Sequence, residues 1–140
     1  MDKESIIKTA KDLYLEKGFS CSESILHALN DSGIEIPAPL VSSVSGLRAG
    51  IGGSGCICGA LMAAVLASGY LYGQSEESRK NPGKLAASLH DKFKAKFKTT
   101  CCRALTGKYN FNSRERKEAC ASFIEFMISE LADIIIRKKS

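Results

Sequence analysis

The chain contains no Cys-x-x-Cys, although six of its 140 residues are cysteine. Paired Cys-x-x-Cys knuckles are the usual frame of a zinc finger, so that class is unsupported. Histidine is almost as uninformative. His27 and His90 are isolated, with no His-Glu-x-x-His and no Ser-His-Asp set around them. His27 falls nearly two turns after Cys21 and reads as a packing or hydrogen-bonding residue. His90, beside Asp91, reads as surface. The glycine-rich stretch near the middle lacks the Gly-Lys-Ser/Thr ending of a P-loop, and no strand precedes it as a dinucleotide fold requires. No segment alternates apolar and polar residues as a strand would, and there is no internal repeat or linker. The start, Met1-Asp-Lys-Glu-Ser, has no apolar core of a signal peptide. A cytoplasmic location is therefore expected, where thiols stay reduced and serve metal binding or redox chemistry more often than structural disulfides.

What is present describes a helical domain. Hydrophobic residues make up 44% and charged residues 25% of the chain, an ordinary globular balance, and the formal charge of +5 is mild. The expectation is a single domain over residues 1–140: an all-α bundle of about five helices around a central buried apolar helix. The first helix runs from Lys3 to Lys17, with Ile6, Ala10, Leu13 and Tyr14 on its apolar face and Gly18 as its stop. Ser20 and Glu23 have the spacing of a capping box, which opens a second helix with Cys21 in its first turn. Ile34 to Ser45, with Pro37 and Pro39, reads as a connection with room for one short helical turn.

The third helix starts near Ser54 or Gly55, is apolar all round and ends by Gly73. Its run from Cys56 to Tyr72 is roughly 17 residues, at the lower limit for spanning a bilayer. Its Ala content, with Ser68 and Gly69 inside it, marks a core helix, so no membrane span is expected. The same apolar helix would also suit a homodimer interface. Gln74 to Lys80 reads as polar and exposed. Asn81 as N-cap and Pro82 at the first helical position open the fourth helix, with Leu85, Leu89, Phe93 and Phe97 as its stripe. The lysines of Lys92-Phe-Lys94-Ala-Lys96-Phe-Lys98 then fall on the solvated side, so no nucleic-acid partner is expected. A short helix follows from a threonine cap to Gly107. Asn112 and Glu115 form another capping box for a last helix, Ser113 to Arg137, whose inner stripe runs from Cys120 through Phe123, Ile124, Met127, Ile128 and Leu131 to Ile134 and Ile135.

This layout puts Cys21, Cys56, Cys58, Cys101 and Cys102 in the first turns of helices, where free N–H groups and the helix dipole favour a thiolate. Arg103 and the lysines of the fourth helix would add to that field. Cys120 faces the core. The glycines at 50, 52, 53, 55 and 59 let the chain approach closely around Cys56 and Cys58. Four thiolates from separate helices can hold an iron–sulfur cluster or a soft metal. Two can form a reversible disulfide.

Several of these residues together resemble the C-GCAxxG-C-C family of redox-active proteins, over nearly the whole chain. Phe19-Ser20-Cys21 resembles the first cysteine of that family. Gly50 to Leu61, with Cys58-Gly59-Ala60 at its centre, resembles the central motif. Cys102-Arg103-Ala104-Leu105-Thr106-Gly107 resembles the third site, and Cys120 the fourth. Ala63 stands where the motif has its last glycine, and Cys56 and Cys101 are additional to the four. The resemblance implies redox activity carried by Cys21, Cys58, Cys102 and Cys120. A similar domain forms the C-terminal part of split-Soret cytochromes, which points to an iron–sulfur cluster. This chain lacks Cys-x-x-Cys-His, so covalent c-type haem is not expected. The leading expectation is thus a cluster- or metal-binding electron-transfer protein with an unidentified redox partner protein. The alternatives are a cofactor-free thiol oxidoreductase, with Cys58 attacking and Cys102, Cys21 or Cys56 resolving, or a metal storage or sensing protein. The extra Cys56 and Cys101 would be further ligands or resolving thiols.

Overall fold

The computed structural model describes residues 2–73 and 80–139. It is all-α, with no strand among the described residues. Seven α-helices occur in the order α1 (Lys3–Leu15), α2 (Cys21–Asp31), α3 (Ala38–Ser43), α4 (Gly59–Tyr72), α5 (Lys80–Phe97), α6 (Cys102–Thr106) and α7 (Arg114–Lys139), and a 3₁₀ turn at Val44–Leu47 extends α3. The count exceeds the expected five because the proline-containing connection folds into α3 and its 3₁₀ extension, and because the short helix expected before Gly107 forms as α6, with Cys101 and not a threonine as its N-cap.

The caps explain where the helices begin. Asp2 accepts from the Glu4 amide at 3.1 Å and starts α1. The capping box at Ser20 is complete: the Ser20 hydroxyl accepts from the Glu23 amide at 3.3 Å and the Ser20 amide donates to Glu23 Oε1 at 3.2 Å. That reciprocal pair satisfies two amides that the helix itself leaves open. At α7 the cap is Ser113, whose hydroxyl accepts from the Arg116 amide at 3.1 Å, not Asn112 as the spacing with Glu115 suggested. Helix α5 is already formed at Lys80, so Asn81 and Pro82 lie within its first turn. The polar segment expected ahead of it falls at 74–79, outside the described residues.

Helix α1 packs on α2 and α7, while α4 packs on α2, α5 and α7. The long α7 is the common wall, and every residue of its expected inner stripe is buried. The rings of Phe93, Phe97 and Phe123 meet at centroid distances between 4.7 and 5.9 Å, which locks α5 onto α7. Phe93 is fully buried, and the lysines around it, from Lys92 to Lys98, are exposed. Ion pairs from Lys3 to Asp133 (2.9 Å), Lys11 to Glu125 (3.0 Å) and Lys92 to Glu130 (3.1 Å) staple α7 to its neighbours at the surface, each worth at most about 1 kcal/mol.

Two expectations about the central helix change. Helix α4 begins at Gly59, several residues later than Ser54 or Gly55. The preceding loop runs through left-handed backbone, from Ala49 (φ 49°) through Gly50 (φ 70°) and Ile51 (φ 61°) to Gly55 (φ 72°), which no α-helix can continue. Nor is α4 enclosed on all sides. Its small residues Gly59, Ala60, Ala63, Ala64, Ala67 and Ser68 are buried, whereas Leu66 is exposed and Gly69 to Tyr72 are half-buried. Its evenly apolar sequence hid which face turns inward. Small side chains there let α2, α5 and α7 approach closely, and Ala63 fits without any exposure.

Candidate functional site

The site is built where the glycine-rich loop meets the start of α6. Ile57 and Cys101 form an isolated antiparallel bridge. The Cys58 amide donates to Thr100 O at 2.9 Å, and the Cys102 amide donates to Cys56 O. Successive side chains alternate across such a ladder. Cys58 and Cys102 therefore share one face, and Ile57 and Cys101 the other. This register, rather than helix starts, separates Cys101 from Cys58 and Cys102; Cys56 falls on the face of the latter two but is exposed and does not border the chamber. Cys21 and Cys102 are first residues of helices, Cys58 and Cys101 are N-caps, and Cys56 precedes α4 altogether.

Cys21, Cys58, Cys102 and Cys120 all line one chamber of about 280 Å³. They arrive from α2, the cap of α4, α6 and the second turn of α7. Cys58, Cys102 and Cys120 are buried, and Cys21 is half-buried. Tyr14, Leu105, Thr106 and Phe123 complete the walls; Arg48, Phe111, Arg116 and Lys117 also border the chamber. Three of the motif glycines are sterically required: Gly59, Gly50 and Gly55, where a Cβ would stand 2.9 Å from Arg103 Cβ. A Cβ at Gly59 would stand 2.6 Å from Cys21 Sγ, so only glycine leaves room for that sulfur. A Cβ at Gly50, where φ is already +70°, would stand 2.7 Å from the Cys56 nitrogen and 2.9 Å from Cys102 Cβ. Gly52 and Gly53 have no such neighbours and do not border the chamber; Gly53 and Gly55 face a shallower groove beside it, together with Arg103 and Tyr109.

Cys56 and Cys101 are not among the chamber's walls. Cys56 is exposed, and Cys101 is turned to the other side of the bridge, its thiol donating to Gly55 O at 3.1 Å. Arg103 is spent on the loop, donating to Ser54 O at 3.1 Å. The cations at the chamber are Arg48, Arg116 and Lys117 instead of Arg103 and the lysines of α5. His27 stacks on Phe19 with ring centroids 4.5 Å apart, and His90 pairs with Asp91 at 3.0 Å; neither borders the chamber.

At Cys21 and Cys58 the electrostatics reverse the expected sense. Backbone N–H groups at the helix starts do lower Cys21 and Cys58, but burial outweighs them. The Cys21 thiol is pushed up to about 12, first by burial, then by Cys120 and Cys102. Cys58 is pushed up strongly, first by burial, then by Cys21. Cys120 is raised by burial against two opposing influences, the hydroxyl of Tyr14 and the charge of Arg116. Tyr14 borders the same chamber, where its hydroxyl and the Cys120 thiol influence each other: Tyr14 is itself raised, first by burial and then by Cys120. Tyr14 was legible only as part of an apolar face. The clue was its hydroxyl, since a tyrosine on a buried stripe needs a hydrogen-bond partner there.

Four cysteines gathered from distant parts of a helical bundle around one chamber define a class: small helical proteins built to bring thiols together. Within it the chain is placed by its sequence. Residues 19–134 match the family described as "Putative redox-active protein (C_GCAxxG_C_C)", and the chain belongs to that family. No curated protein and no solved structure is a significant match.

Proposed function

We propose that the chamber holds an iron–sulfur cluster and that the protein transfers electrons through it. The observation that carries this reading is that the four motif cysteines, spread from residue 21 to residue 120, all border the same chamber. Among the described residues, no set of three or more His, Cys, Asp or Glu side chains is arranged to hold a metal ion. The four cysteines instead border a chamber of about 280 Å³, room for a group of several atoms. Cys21, Cys58, Cys102 and Cys120 would be its ligands. When bound, the cluster would supply one-electron chemistry that thiols alone lack.

The remaining residues have roles that follow from their positions. Thiolates crowded at low dielectric repel one another, and burial keeps Cys21 and Cys58 protonated at neutral pH. A nucleophilic thiol needs the opposite, whereas metal ligation replaces those protons outright. The nearby cations Arg116, Lys117 and Arg48 offset the negative charge of ligated sulfurs. The Tyr14 hydroxyl beside Cys120 favours that sulfur as an anion. Hydrogen bonds to sulfur, net charge and solvent exposure are what set a cluster's potential.

The test is to purify the protein anaerobically and measure iron, acid-labile sulfide and visible absorption. We expect iron and sulfide together, absorption that bleaches reversibly on reduction, and loss of most iron in Cys58→Ser but not in Cys101→Ser. A colourless, metal-free protein in which Cys58 is the fastest thiol to alkylate would overturn the cluster reading in favour of thiol–disulfide exchange. Iron bound without any reversible reduction would favour storage or sensing.

A further inference from the structure

The family's four cysteines leave Cys56 without a role, yet the register of the bridge gives it a partner. With Ile57 opposite Cys101, Cys56 stands opposite Cys102, and the two are joined by the hydrogen bond from the Cys102 amide to Cys56 O. Only this one bond joins them, because the Cys56 amide donates to Gly50 O at 3.2 Å; residues opposite each other at a hydrogen-bonded site of an antiparallel pair have Cα atoms about 5.5 Å apart. Disulfides span about 4.4 to 6.8 Å between Cα atoms, most often near that value. Alternation along the ladder puts both side chains on the same face. Gly50 packs against the Cys56 backbone and the Cys102 side chain, since a Cβ there would stand 2.7 Å from the Cys56 nitrogen and 2.9 Å from Cys102 Cβ. Cys56 is exposed and Cys102 buried, so the pair joins the chamber to the solvent.

We infer that Cys56 and Cys102 form a reversible disulfide, with low-molecular-weight disulfides as the oxidant. The exposed Cys56 thiolate attacks one sulfur of the small disulfide. A Cys56–small-thiol bond forms, the small disulfide bond breaks and one small thiol leaves. Cys102 then attacks Cys56 Sγ; the protein disulfide forms and the second small thiol leaves. Two protein thiols are oxidised, one small disulfide is reduced, and the two protons leave on the two small thiols. The bond itself does not depend on a cluster. Its consequence does rest on the proposed function: a Cys102 tied to Cys56 is withdrawn from the ligand set, so oxidation would unload the chamber.

The experiment equilibrates the metal-free protein in glutathione redox buffers, traps free thiols in acid and maps disulfides by tandem mass spectrometry. Backbone fragmentation is needed because Cys56 and Cys58 share one tryptic peptide, and Cys101 and Cys102 another. We expect a Cys56–Cys102 link as the first protein disulfide, kept in Cys101→Ser and lost in Cys56→Ser. A link that persists in Cys56→Ser, one that joins Cys56 to Cys101, or a Cys56 that carries only glutathione while Cys102 stays free would each overturn the inference. Cys56 is exposed, so Cys56→Ser is expected to fold. A second arm oxidises the iron-loaded protein: iron should fall in the parent chain and hold in Cys56→Ser. Protein that forms the link but never binds iron would sustain the disulfide and overturn the cluster, which keeps the two failures apart.

Discussion

Burial governs how the chamber thiols behave one by one. A cysteine at a helix start would ordinarily be acidified, but at Cys21 and Cys58 removal from water is the larger effect, and each thiolate would also face its neighbours' charge. Cys120 is the best-supported sulfur of the set, because Tyr14 and Arg116 both favour its anion. Tyr14→Phe removes one donor and keeps the ring. Its expected cost in stability is about 0.5–1.5 kcal/mol. In the metal-free protein, alkylation of Cys120 at alkaline pH should slow, with Cys56 unchanged as an internal reference. Equal rates at Cys120 before and after the substitution would show that the tyrosine does not act on that sulfur. A role confined to packing would lower stability without this selective change.

At the level of elements, caps and register set the geometry. Ser20 fixes the first turn of α2 and so the direction in which Cys21 leaves it. Ser20→Ala should destabilise the protein by about 1 kcal/mol, read as a lower midpoint in urea with an unchanged slope; an unchanged midpoint would show that the box contributes nothing. The Ser20–Glu23 spacing made this cap readable in advance, as the periodic apolar positions made α7 and the buried face of α5. Other features were unreadable for physical reasons. Helix α4 is apolar on every side, so no periodicity marked its inner face. Its late start depends on left-handed backbone at Ala49 and Ile51, residues whose chemistry does not announce it. The bridge at Ile57 and Cys101 is too short to leave any alternation in the sequence, yet it turns Cys58 and Cys102 to one face and Cys101 to the other. The four motif cysteines were identified through family resemblance, while Tyr14, Arg48, Arg116 and Lys117 emerged only from packing.

For the molecule as a whole, the chamber makes stability depend on pH. Cys21, Cys58, Cys120 and Tyr14 all hold their protons more tightly when folded. An unfolded cysteine ionises near about 8.5, so below that pH the contribution is fully present. As pH rises toward 12 for Cys21, the unfolded chain loses protons that the folded one keeps, and stability falls. Thermal melts of the metal-free protein followed by circular dichroism should therefore show a midpoint that declines from pH 8 to pH 10. A flat profile would mean that the thiols are more open to water than the chamber implies. The bridge between Ile57 and Cys101 also has a temporal side. Helices α4 and α5 lie within the loop it closes, and the chamber's last wall, with Cys120, comes from α7 near the end of the chain. Contacts so distant in sequence carry the cost of loop closure before they are rewarded. A nascent chain therefore displays the thiols of Cys21 and Cys58 before the helix that shelters them has been made, and protection of the sulfurs is among the last things that folding achieves.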